Sequence, residues 1–134
     1  MTIQNQKTMT QDEHIQQLKE AHDKLQEGLP SHQMAIRDGI VVDVGEGAYD
    51  SYPRFGFQHF CWRNPICVQE LDLFIKYAKG KKCLLDCGAF HGIFSLVFNE
   101  INKDGVAYAF EPFSEAYQTL VKYSGDRLGT FHVG

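Results

Sequence analysis

The chain has 134 residues, with 13 Lys and Arg against 17 Asp and Glu, a formal net charge of −4, and 43% hydrophobic and 13% aromatic residues. That is one domain's worth of chain; its negative balance argues against a nucleic-acid partner, and its apolar runs, such as Gly39–Val42 and Ile93–Phe98 with its interrupting Ser95, fall far short of the roughly 18 residues of a membrane span. The polar start carries no basic stretch leading into an apolar one, so no secretory signal is expected and the cytoplasm is the expected location.

Residues 1–9 are rich in Gln and Thr without periodicity, which predicts a mobile tail. Thr10 and Glu13 then make a capping box, and Ile15, Leu18, Ala21, His22 and Leu25 recur at helical spacing until Gly28 and Pro30. The spacing predicts an amphipathic helix with a narrow apolar stripe, lying on the edge of the main domain or pairing with another chain. Met34–Ile36 and Ile40–Val42 flank Asp38-Gly39, a dipeptide suited to the positive φ angles of a hairpin turn. Tyr52, Phe55, Phe57, Phe60 and Trp62 follow, an aromatic stretch that reads as core packing ahead of a substrate-stacking surface. Asn64 and Pro65 open a further helix as cap and first residue, with Ile66, Leu71, Phe74, Ile75 and Ala78 facing inward and Gly80 ending it. Lys76, Lys79, Lys81 and Lys82 suit the negative end of that helix dipole and read as a solvated face rather than a phosphate patch.

From Lys82 the pattern becomes regular. Cys83–Asp86 is a short apolar run ending in an acid, followed by Gly88, Gly92 and an apolar helix over Ile93–Glu100. Asp104-Gly105 turns the chain into a second run, Val106–Phe110, ending at Glu111 and Pro112. A helix capped by Ser114, with Ala116, Tyr117, Leu120 and Val121 inward, leads to a third strand over Thr130–Val133. The alternation predicts a parallel, doubly wound α/β sheet preceded by a helix and a small hairpin. Three regions result: 1–30 (tail and helix), 31–81 (hairpin, aromatic segment and helix) and 82–134 (the sheet). The four cysteines, Cys61, Cys67, Cys83 and Cys87, match no zinc spacing and read as reduced thiols, so no metal is expected. Cys83 and Cys87 share one face of their strand and are expected to be buried.

In parallel sheets ligands bind beyond the carboxyl ends of the strands, so Asp86–Gly92 and Glu111–Phe113 are expected to be neighbours. Gly88 and Gly92 let the backbone approach a ligand, and Glu111, 23 residues after Gly88, stands where it can accept both hydroxyl protons of a ribose. A dinucleotide fingerprint fails, because Phe90 and Ile93 occupy the places of its second and third glycines, and no P-loop lysine follows the first strand. Acid, any residue, glycine, three residues, glycine fits instead, as in Asp86-Cys87-Gly88-Ala89-Phe90-His91-Gly92.

That string, continued by Ile93-Phe94-Ser95-Leu96 and joined to Ala109-Phe110-Glu111-Pro112, resembles the FkbM-type family of class I S-adenosylmethionine-dependent methyltransferases. The resemblance spans Lys82 to about Val121. It implies a Rossmann-like sheet and O-methyl transfer from S-adenosylmethionine to a hydroxyl of a sugar, polyketide or similar metabolite. Carried over by position, Asp86, Gly88, Ala89, Phe90, Gly92, Glu111 and Pro112 are the cofactor-binding candidates, with Glu111 on the ribose. His91 is a candidate general base, although a loop histidine is more commonly solvated. The family fold has more strands than this chain supplies, so the sequence reads as the amino-terminal portion of such an enzyme. By itself it is expected to bind cofactor weakly or not at all and not to turn over, and to self-associate through an uncovered sheet edge or the amino-terminal helix. The alternatives are a non-catalytic interaction module on a degenerate methyltransferase-like scaffold and another class I methyltransferase.

Overall fold

The computed structural model describes residues 8–44 and 56–133. Helix α1 (Gln11–Glu27) begins where Thr10 Oγ1 accepts the Glu13 N–H at 3.1 Å, half of the expected capping box. It lies along its own domain, against β1 and the short π-helix His59–Arg63. Its inward stripe runs through Ile15, Leu18, His22 and Gln26, and Ala21 and Leu25 face outward. Gln26 replaces the expected apolar contact with hydrogen bonds to the hairpin, Nε2 to Gln33 O and Oε1 from the Ala35 N–H, both at 2.9 Å. A polar side chain that satisfies a strand's backbone packs there better than Leu25 can.

Strands β1 (Gln33–Arg37) and β2 (Ile40–Asp43) form the antiparallel hairpin, with Asp38 and Gly39 at φ +50° and +80°. Both central residues thus take the conformation that matches the strand twist. Tyr52 and Phe55 lie outside the described residues, as does the tail up to Lys7. Phe57 is buried, and Phe60 and Trp62 pack partly buried against the core. Helix α2 (Pro65–Ala78) starts as expected, Asn64 Oδ1 accepting the N–H groups of Ile66 and Cys67. Its inward face is Val68, Leu71, Ile75 and Ala78; Ile66, expected inward, is 75% exposed, because it lies about 200° round the helix from the buried Val68.

The sheet consists of β3 (Cys83–Cys87), β4 (Val106–Glu111) and β5 (Gly129–His132), parallel and in that spatial order. Helix α3 (Ile93–Ile101) joins the first pair and α4 (Ser114–Ser124) the second. Both crossovers advance the same way across the sheet, and right-handed connections then place both helices on one face. Ala107 and Ala109, fully buried, meet them there together with Leu96, Phe98 and Leu120. The sheet is therefore parallel but, among the described residues, covered by helices on one face rather than two. Cys83 and Cys87 fall on the other face with Leu85, Val106 and Tyr108 and are exposed, correcting the expected buried thiols. Ser114 is not the cap of α4: Phe113 holds that position without a side-chain bond, and Ser114 Oγ lies 3.3 Å from His132 Nε2. Val121, expected inward, is 39% exposed, while Tyr123 and Ser124 are buried instead.

Polar pins join the layers. Asn102, at the end of α3, accepts the Gly80 N–H and donates to Ala78 O, closing the carboxyl end of α2. Arg127 donates to Ser124 O, Tyr123 O and Asp43 O, tying α4 to β2. No described helix is long and apolar enough to cross a membrane.

Candidate functional site

The carboxyl ends of β3 and β4 meet in one loop cluster. Gly88 and Ala89 both donate their N–H groups to Phe110 O, at 2.8 and 3.0 Å, so the chain leaving β3 folds over the tip of β4. Glu111 Oε2 accepts the Phe90 N–H at 2.6 Å and Oε1 accepts the Phe113 N–H at 2.9 Å. One carboxyl group thus brackets the two loops that follow the two strands. Glu111 is only 5% exposed, so a ribose reaches it only if the Phe90 segment gives way.

Asp86, on β3, accepts a 2.7 Å hydrogen bond from Ser95 Oγ in the first turn of α3. Burial pushes its carboxyl above the ordinary value, the Ser95 hydroxyl and amide pull it back, and Glu111 adds repulsion. Ser95 belongs to the string that carries the resemblance but has no role assigned from sequence; the signal available is a lone hydroxyl inside the apolar run Ile93–Phe98.

The two glycines differ in what they are for. Gly88, at φ +79°, has nothing within 4 Å of where a Cβ would stand, which leaves open space for a ligand to approach the backbone. Gly92, at φ +91°, would drive a Cβ to 2.5 Å from Leu120 Cδ1, so packing against α4 demands it. Ala89 is buried, and Pro112 is exposed just beyond β4. Phe90 sits at φ +53° with its ring over that of His91, centroids 3.9 Å apart.

His91 is buried rather than solvated. Burial pulls its pKa below the ordinary imidazole value, and Glu111 partly opposes this. It lines a cavity of about 510 Å³ between the loop and the segment leading into α2. Phe57, Phe60, Ile93 and Phe94 supply apolar wall, and His59, Cys67 and Glu70 supply polar groups that the sequence reading passed over. Burial and the neighbouring Glu70 push the Cys67 thiol pKa up, so this sulfur is a poor thiolate nucleophile. No group of three or more metal-ligating side chains occurs among the described residues.

S-adenosylmethionine combines an anionic and cationic amino-acid end with a ribose diol. The opening at Gly88 and the adjacent acid at Glu111 fit such a ligand in kind, with the burial of Glu111 as the obstacle. Compared with known protein families, curated proteins and solved structures, the chain matches none of them.

Proposed function

We propose that the chain binds S-adenosylmethionine at the carboxyl ends of β3 and β4 and is an O-methyltransferase of the FkbM type, working in the cytoplasm on a small-molecule hydroxyl. The observation that carries this reading is the joining of an open glycine crossing at Gly88 to an acid at the tip of the neighbouring strand, through the Phe90 N–H. A carboxylate has about four acceptor directions, and Glu111 uses two on backbone, leaving two that a ribose diol reaches once the Phe90 segment moves aside.

When bound, the cofactor supplies an activated methyl group. The chain's residues then have distinct tasks. Gly88 admits the ligand to the backbone, and Asp86, held by Ser95, fixes the start of the loop. The cavity beside the loop receives the acceptor, and its Phe57, Phe60 and Phe94 walls favour a polyketide-like body over a free sugar. His91, which burial favours in its neutral form and which adjoins the glycine loop, is the group assigned to take the hydroxyl proton, with His59 and Glu70 lining the same cavity.

A second reading, a non-catalytic scaffold, is favoured by one observation: Glu111 is buried with both oxygens already engaged. Isothermal titration with S-adenosylhomocysteine separates the two. Weak but saturable binding, reduced at least tenfold or so in Glu111→Ala, supports the cofactor site. Absence of saturable heat at millimolar ligand overturns it, and circular dichroism of the variant checks that the bracket's loss has not unfolded the loops.

A further inference from the structure

The cavity of about 510 Å³ beside the glycine loop is lopsided in charge. Among the described residues Glu70 is the lining side chain that carries a full formal charge, and no Lys or Arg lines the space. Glu70 stands exposed at the mouth, one helical turn after Cys67 on α2. It has no hydrogen bond or ion pair among the described residues. Asp72, two positions on, takes Arg37, and the remaining pairs, Lys19–Asp23 and Lys103–Glu100, lie on α1 and at the end of α3. Its charge is nevertheless felt in the wall, because burial and the Glu70 carboxylate together push the Cys67 thiol pKa up.

Most of the remaining surface is aromatic. Phe60, from the π-helix, and Phe94, from the first turn of α3, meet edge to face with ring centroids 5.3 Å apart, and Phe74 joins Phe94 from α2 at 4.9 Å. The cavity is closed where Phe60 and Phe94 touch. On the loop side the Phe90 ring lies over His91, whose neutral form is favoured by burial and so opposes no incoming cation. Asn64 Oδ1 is occupied in capping α2. An anion entering this space meets a carboxylate and the negative faces of rings, and a neutral body leaves Glu70 without a counter-ion. A cation gains from both.

We propose that the cavity takes a ligand with an apolar, ring-sized body and a protonated amine, with Glu70 as the counter-ion of that amine. The ligand's role rests on the methyltransferase reading: it is then the methyl acceptor, an amine-bearing hydroxyl compound, and acceptors bearing phosphate or carboxylate are refused. The amino-acid end of the cofactor is the other source of an ammonium group. It carries a carboxylate alongside, which Glu70 repels, so a simple amine fits this mouth better.

The test titrates the whole, isotope-labelled chain with tyramine, para-ethylphenol and para-hydroxyphenylpropanoate, read by amide chemical shifts at neutral pH. The three share a phenol and differ in carrying an ammonium, no charge or a carboxylate. Tyramine is expected to bind about fivefold or more tighter than the ethylphenol, with the propanoate weakest. Shifts are expected on both sides of the cavity, at Cys67 and Glu70 and at Ala89 and His91. Glu70→Gln is expected to bring tyramine within about twofold of the ethylphenol, and Glu70→Lys to put the propanoate first. No saturable shift with tyramine at millimolar concentration, equal binding of the three, or a tyramine preference that survives Glu70→Gln overturns the proposal. So do shifts confined to Tyr77 and Lys81, which place the amine in the neighbouring groove that Glu70 also lines. Repeating the titration with S-adenosylhomocysteine present separates the proposal from the reading it rests on. Tyramine bound alongside it supports an acceptor's amine, and displacement of tyramine overturns this in favour of the cofactor's amino-acid end. Selective tyramine binding by a chain that takes up no S-adenosylhomocysteine supports the amine site and overturns the methyltransferase reading alone.

Discussion

Arg37 is the most demanding side chain in the fold, and truncating it tests how the hairpin, the π-helix and α2 are held together. Its side chain is 3% exposed, yet it carries a charge, and its fork donates to Phe60 O at 2.5 Å, Cys61 O at 2.9 Å, Val68 O at 3.2 Å and Asp72 Oδ1 at 2.5 Å. Arg37→Met keeps the length of the stem and removes every donor. The Phe60 and Cys61 carbonyls then lose the partner shown here, and an unsatisfied buried acceptor costs about 1–3 kcal/mol. Asp72 is 43% exposed and returns to water at little cost. The sum is a loss of about 3–5 kcal/mol, against a total stability of roughly 5–15 kcal/mol for a domain. Urea denaturation followed by Trp62 fluorescence reads this as a fall in the midpoint of about 2–3 M for a slope near 1.5 kcal/mol per molar. Asp72→Asn is expected to cost no more than about 1 kcal/mol. A loss below about 1 kcal/mol in Arg37→Met refutes the reasoning, since it means that the carbonyls find other donors and that the guanidinium is not what joins the three elements.

Two further expectations follow from the site. Gly92→Ala meets both a left-handed φ and the 2.5 Å approach of Leu120, and should cost about 2–4 kcal/mol, whereas Gly88→Ala meets only the backbone penalty of about 1 kcal/mol. Equal losses in urea melts refute the division of the two glycines into packing and ligand-approach roles. The folded pKa of His91 lies below its ordinary value of 6.5, so its neutral form stabilises the fold above that pH and this contribution is lost as pH falls through the folded pKa. His91→Gln should therefore flatten the decline in stability between pH 7 and 5, and superimposable profiles for the two proteins exclude a buried neutral imidazole.

Local rules were enough to read most of the elements. Thr10, Asn64-Pro65 and Asp38-Gly39 act on residues two to four positions away, and each marks its cap or turn as expected. The meeting of the β3 and β4 tips also followed from the chain order, because a parallel strand after a helical crossover returns beside its predecessor. What could not be read was the choice of face. Leu25 and Gln26 stand about 100° apart on a helical wheel, and Ile66 and Val68, like Val121 and Tyr123, stand about 200° apart, so which of each pair faces inward depends on where the neighbouring layer lies. Cys83 and Cys87 were assigned to one face correctly, but whether that face is covered depends on the direction of both crossovers.

The sequence by itself determined the order of strands and helices, the turn at Asp38-Gly39 and the gathering of Asp86, Gly88 and Glu111 at one end of the sheet. These depend on periodicity, on backbone freedom and on capping, all short-range. Only the tertiary structure decided that Glu111 is buried as a bracket between two loops, that Gly92 answers to Leu120 and that His91 is desolvated. Burial and pairing are properties of what lies opposite a residue in space, and residues far apart in the chain supply that.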